Sequence, residues 1–460
     1  MNKVDNRKYS QITVVLTFQQ ISLSLHPKNM ETTHKMLHIS RFATDIFSNK
    51  EIIPMETLNF KVYKYRWVML GVYMLIVAVN QLLWITFAAV TANATQYYGV
   101  SDLQIGLLSM CFMLVFIVVS IPASWIIDKY GIRIGVGIGA ALTGVFGMLR
   151  GMVSTNYELL LLAQIGIAVG QPFLVNAITK LAARWFPVSE RATASGLGTL
   201  AMYLGILIGL LLTPYLAQGH GMNGMLYIYG IIAVVAATVF IVFAKEHPKT
   251  PPQAVNLEER ALVLNGMKDL FSNRNFYYLL LIFFVGLGVF NAVTTWIEVI
   301  LKPRGFSSDQ AGLIGGMMII GGIFGALIMP MLSDYYQKRK PFIVIALLGA
   351  ILGLAGVTFA SSYISLLTSG FVMGFFLLSA GPIGFQYAAE ITHPISEVTS
   401  NGLVILMGQI SGIAFIFGMD SFKAEHTGSM TNPLIFLIAL SVAGLAVSTR
   451  LKESPIAGGK

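Results

Sequence analysis

The residues in this chain with any capacity for chemistry are few, and most of them are amides and indoles inside long apolar runs. Asn80, Gln81 and Trp84 interrupt one run, Gln164, Gln171 and Asn176 a second, Asn291 and Trp296 a third, and Gln386 and Gln409 two others. An amide within lipid needs a partner or a wet cavity, so each of these is either an interhelical bond or part of a binding site. An indole face attracts cations and an amide orients a polar group, so Trp84 with Asn80, Gln171, Asn291 and Gln409 reads as a site that holds a small polar solute. Bond-breaking chemistry lacks its parts. His220, His247, His393 and His426 lie well separated in or near loops, no HExxH or GxSxG arrangement occurs, and Cys111 is a lone cysteine. The reading is therefore not an enzyme, with no cofactor and no metal.

Charge within the apolar runs is sparse. Glu298 falls toward one end of its run, Glu390 and Lys180 toward the other end of theirs, and no carboxylate is placed at mid-depth for a proton relay. Movement of the solute down its own gradient is the expectation, with ion coupling through Glu298 or Glu390 as the alternative. A second group of charges recurs between runs and suits gates: Asp128 with Arg133, Glu190 with Arg191, Asp334 with Arg339, and Glu390 with Glu397. A carboxylate at a helix end can accept bonds from a neighbouring helix start while an arginine holds backbone or carboxylates nearby, which makes such a loop a latch.

The elements that position these residues follow from composition. The 460 residues are 55% hydrophobic and only 11% charged, with a mean hydropathy of +0.73. Typical soluble domains carry roughly 25% charge, so a soluble fold of this size is excluded and a bilayer is the expected partner. Apolar runs long enough to cross it are helices. They are expected at 67–92, 104–126, 132–150, 157–184, 190–216, 224–244, 276–300, 310–332, 341–360, 363–389, 398–420 and 431–450. Residues 1–60 read as a flexible tail with no spanning run and no signal-peptide core, and translation from Met30 or Met55 would leave every run intact. Residues 61–245 form a first six-helix bundle, 246–275 a linker with a short surface helix, 276–452 a second six-helix bundle, and 453–460 a tail.

The two bundles repeat one another. Gln104 and Gly106 precede Gln310 and Gly312 by 206 positions, Asp128 precedes Asp334 by 206, Arg133 precedes Arg339 by 206, and Pro187-Val188-Ser189-Glu190 precedes Pro394-Ile395-Ser396-Glu397 by 207. Ordered matches at one offset indicate duplicated halves in parallel repeat, and this layout resembles the major facilitator superfamily, whose solute site lies between the halves. The Asp128–Arg133 loop resembles that superfamily's loop signature, with Ser124 where glycine is usual. With loops assigned alternately, nineteen basic residues fall on the side of the termini and linker and four, Arg150, Lys302, Arg304 and Lys423, on the other. The rule of cytoplasmic positive charge then puts both termini in the cytoplasm of a cell membrane. The net charge of +9 reports this orientation, and with no basic stripe interleaved with aromatics no nucleic-acid partner is expected. Gly205 with Gly209, and Gly321 with Gly325, allow close helix approach, either as ordinary packing or at a rocking interface.

Several motifs carry a narrower resemblance. Asn80-x-x-x-Trp84, Gln171-Pro172-Phe173, Lys180 to Pro187, Glu190-Arg191, and Glu390-Ile391-Thr392-His393-Pro394-x-Ser396-Glu397-x-Thr399-Ser400-x-Gly402-Leu403 with Gln409 resemble the feline leukaemia virus subgroup C receptor-related transporters. That resemblance implies a facilitative carrier of choline or ethanolamine, with haem export as an older assignment, and a solute pocket built on Trp84, Gln171 and Gln409; a monomer is the expected state. It also implies a tyrosine in the seventh helix, where this chain has Asn291, so one aromatic face is missing and an amide stands in its place. A carrier coupled to protons or sodium, and a receptor of the same fold that binds without moving its ligand, are the other readings.

Overall fold

The computed structural model describes residues 61–250, 252, 273–393 and 397–454, and they are helical throughout apart from short connections. The N-terminal tail and the expected linker helix lie outside the described residues. The first half comprises α1 (Tyr65–Ile85), α2 (Thr91–Tyr98), α3 (Asp102–Tyr130), α4 (Ile132–Met152), α5 (Tyr157–Val175), α6 (Ile178–Trp185) and α7 (Val188–Phe243). The second comprises α8 (Arg274–Thr295), α9 (Ile297–Leu301), α10 (Ser308–Tyr335), α11 (Lys340–Phe359), α12 (Tyr363–Thr392), α13 (Glu397–Ser421) and α14 (Thr431–Ser448).

Eleven of these helices are long and apolar enough to span a membrane. The longest, α7, is broken at Gly221, where φ of 67° and ψ of 176° reverse the chain in a conformation that costs glycine nothing. Its arms, 188–220 and 222–243, are two crossings, so the described residues make twelve. Exposed side chains on the outer faces, such as Val118, Ile121 and Leu352, are apolar, as lipid requires.

The repeat seen in sequence is a repeat of structure. Ser101 and Gln104 form a reciprocal capping box at the start of α3, and Ser307 and Gln310 form the same box at the start of α10. Within halves α1 and α4 pack on α7, and α12 packs on α10 and α11. Between halves α3 meets α13, and α7 meets α10. Gly205 and Gly209 press against Ala78 and Ile85 of α1, and Gly321 and Gly325 against Phe371 and Phe375 of α12. Those glycines pack within a half. Between halves the backbones come close at Gly312, where a Cβ would overlap the Leu210 carbonyl.

Three boundaries differ from the hydropathy reading. The first run breaks after Ile85 and restarts at Thr91, with the Thr86 hydroxyl at the break turned back onto the carbonyls of Leu82 and Leu83. The seventh breaks at Trp296, placing Glu298 in the separate helix α9. Arg150, expected in a loop, lies inside α4 with no exposed surface.

Candidate functional site

Trp84 occupies the last turn of α1, beside the break at 86–90. Its indole Nε1 donates to the Ser109 carbonyl of α3 at 3.2 Å, and the Ser109 hydroxyl lies 3.4 Å from the Trp84 carbonyl. The break leaves the preceding carbonyl, that of Leu83, without its helical partner. Arg150 Nη1 donates to it at 3.0 Å and Gln164 Nε2 at 3.2 Å, while Arg150 also donates to Gln164 Oε1 at 2.9 Å and to the Thr86 hydroxyl at 3.3 Å. Three helices thus converge on residues 83–86. Neither Arg150 nor Gln164 was singled out by sequence as part of the site. Their signal is a cation and an amide fourteen residues apart on adjacent runs, which spacing alone cannot tie to α1.

The amides divide into occupied and unoccupied. Asn80 Nδ2 donates to the Thr143 hydroxyl of α4 at 3.1 Å, and Asn291 Nδ2 donates to the Gly408 carbonyl at 3.2 Å, so both serve helix packing, although the Asn80 Oδ1 is buried without a partner. Gln171 in α5 and Gln409 in α13, by contrast, make no side-chain hydrogen bond among the described residues. Pro172, directly after Gln171, removes a helical donor, and α5 ends three residues later. Gln171 and Gln409 therefore stand in opposite halves with donors and acceptors to offer. Asn291 reaches the same helix as Gln409, and Gly412 on that helix abuts both Asn291 and Met113 of α3. Trp296 is locked elsewhere, donating to the Ile416 carbonyl at 3.0 Å and filling the space left by Gly106. Among the described residues no cluster of His, Cys, Asp and Glu is placed to hold a metal ion.

At the end of the bundle away from the linker, the halves are tied by polar contacts. Glu298, 1% exposed, accepts the Ala92 backbone N–H at 2.9 Å across the seam and the Ser308 hydroxyl at 2.6 Å within its own half. Lys423 binds Asp102 at 2.7 Å, and Gln218 donates to Asp309 at 2.6 Å.

At the linker end the described ion pairs stay within one half. Arg66 holds Glu190 through two bonds of 2.9 and 3.1 Å, and Arg191 donates to the Ala183 carbonyl. Lys180 binds Asp128 at 2.9 Å. In the second half Arg339 contacts Asp334 and Glu390, the latter at 3.0 Å, and Gln386 also bonds Glu390. The side chain of Glu397 lies outside the described residues. The helix starts that sequence analysis offered to Asp128 and Asp334 are taken by other carboxylates. Glu246, paired with Arg184, accepts the N–H groups of Ile132 and Arg133, and Gly131 at φ 97° leaves room for it. Glu453 accepts those of Arg339 and Lys340, 207 positions later. A groove of about 330 Å³ lined by Arg133, Gly137 and Ile241 lies apart from Trp84 and the free glutamines.

Residues 69–416 match the family model of the Major Facilitator Superfamily. The chain is 32% identical over 398 residues to Solute carrier family 49 member A3 of Danio rerio, a match covering 81% of this chain and 82% of that protein. It is 28% identical over 420 residues to the Choline/ethanolamine transporter FLVCR2 of Homo sapiens, covering 87% and 79%. Among solved structures, a bacterial homolog to the human lysosomal transporter Spinster, inward-facing and unoccupied, superposes with a TM-score of 0.69 at 16% identity over 85% of this chain and 98% of that one.

Proposed function

Because the chain belongs to the major facilitator superfamily and is a multi-pass membrane transporter, we propose that it carries a small organic amine, choline or ethanolamine being the first candidates, by facilitative alternating access. The observation that carries this reading is the contrast among the amides. Gln171 and Gln409 make no side-chain hydrogen bond among the described residues and stand in opposite halves, whereas the side chains of Gln164, Asn176, Asn291 and Gln386 are hydrogen-bonded; Gln81 in α1 is buried with its Nε2 unpartnered. A solute held between two glutamines and an indole face bridges the halves, which is what a carrier site must do. The name of the human relative supports the substrate class.

The distribution of contacts supports a state closed at the far end and released at the linker end. In this reading the linker end and both termini face the cytoplasm of the cell membrane, and the protein works as a monomer. Asp128, Arg133, Glu190, Arg191, Asp334, Arg339, Glu390 and Glu397 form the gates of that side.

The test is uptake of labelled choline and ethanolamine into proteoliposomes, with and without imposed pH and sodium gradients. Saturable uptake that ignores both gradients and is lost in Trp84→Ala and Gln409→Ala is expected. A folded protein that moves neither solute discards the amine assignment, and uptake that follows a gradient discards the facilitative one.

A further inference from the structure

We infer that Arg150 is a positioning residue that holds Trp84 in its solute-facing place through the freed carbonyl of Leu83; this rests on Trp84 being part of the solute site. A guanidinium with no exposed surface and no carboxylate in contact among the described residues is costly to bury, and an apolar side chain of similar volume would ordinarily serve stability better. Its burial here fits a task that its geometry performs. Two of its nitrogens span the break in α1, Nη1 on the Leu83 carbonyl and Nη2 on the Thr86 hydroxyl. Thr86 in turn donates to Leu82 and Leu83, and the Phe87 ring lies 5.8 Å below the guanidinium.

Gln164 completes the clamp by donating to the same Leu83 carbonyl and to that of Leu108, the residue before the Ser109 that holds the indole. The chain is therefore gripped on both sides of Trp84, before it at the Leu83 carbonyl by the fork and the amide, and after it at the Thr86 hydroxyl by the fork. A helix that ended here without them would be free to unwind another turn and rotate the indole out of place. An arginine suits this role better than a lysine, because its planar fork reaches two acceptors at once.

The experiment labels all five tryptophans with 5-fluorotryptophan and reads their 19F lines, that of Trp84 being assigned by its loss in Trp84→Phe. In Arg150→Met and Gln164→Leu the Trp84 line moves while Trp296 and the others stay. Half-saturation for the transported solute rises about tenfold, with the maximal rate nearly kept, as expected when a binding group is misplaced. Arg150→Lys, which keeps the charge and loses the fork, shows the same displacement. An unmoved Trp84 line in Gln164→Leu and Arg150→Lys overturns the inference even if Arg150→Met fails to fold, and so does a shift of all five lines together. Because the 19F readout needs no solute, it decides this question even if choline and ethanolamine prove not to be carried.

Discussion

Glu298 shows how one side chain ties the seam to pH. Burial raises its carboxyl above the ordinary 4.5, with the proximity of Asp102 acting in the same direction, against bonds from Ser308 and Ala92 and the charge of Lys302. Other charges at this end include Lys423, held by Asp102 and near Asp420, Asp309, held by Gln218, and Arg304, which donates to the Val357 carbonyl. When the seam opens, Glu298 meets water and returns toward its ordinary value. The closed seam therefore binds the proton more tightly, so closure is favoured below that range and weakens as pH rises through the raised value. Accessibility of a far-end cysteine probe is expected to increase from about pH 4.5 toward neutrality. Glu298→Gln, whose amide oxygen can still accept from Ala92, should flatten that dependence. An equal slope in the variant sinks the assignment. At this scale Trp84, Gln171 and Gln409 could be picked out as candidates because polar groups stand out in apolar runs. Arg150 was misplaced because a charge at the edge of a run reads as its boundary, and Glu246 and Glu453 passed unnoticed because outside the runs a carboxylate looks like any solvated one.

Helices were the most legible elements, since each must satisfy its own backbone within lipid and so announces itself as a long apolar run. The offset of 206 residues reappears in the twin capping boxes. Breaks inside runs were not legible: Thr86-Phe87-Ala88-Ala89-Val90 is as apolar as the helix before it, and hydropathy carries no backbone angle. The carboxylate caps on α4 and α11 belong to this scale. Removing a cap costs about 1 kcal/mol, so Glu246→Ala and Glu453→Ala are each expected to lower the melting temperature modestly. Because the two caps sit in separate halves, the losses should add in the double variant. A double variant no worse than either single one would show that the halves do not stabilise independently.

For the molecule as a whole, transport is an exchange between two closures, and two substitutions should push it in opposite directions. Gly312→Val puts a side chain against the Leu210 carbonyl and forbids the far seam, so it should favour closure at the linker end. Asp128→Asn removes the charge at the end of α3, the helix that faces α13, and should favour opening there. Cysteine probes at the linker end are expected to react more slowly in the first variant and faster in the second; unchanged rates in either case would refute its gate. The two glutamate caps have one more implication. Glu246 fastens the exit of the first half to its own third crossing, and Glu453 does the same for the second, so each half is buckled shut before the chain leaves it. A gene cut in two between them would yield a pair of polypeptides, made from separate messages, that still meet in the bilayer as one carrier.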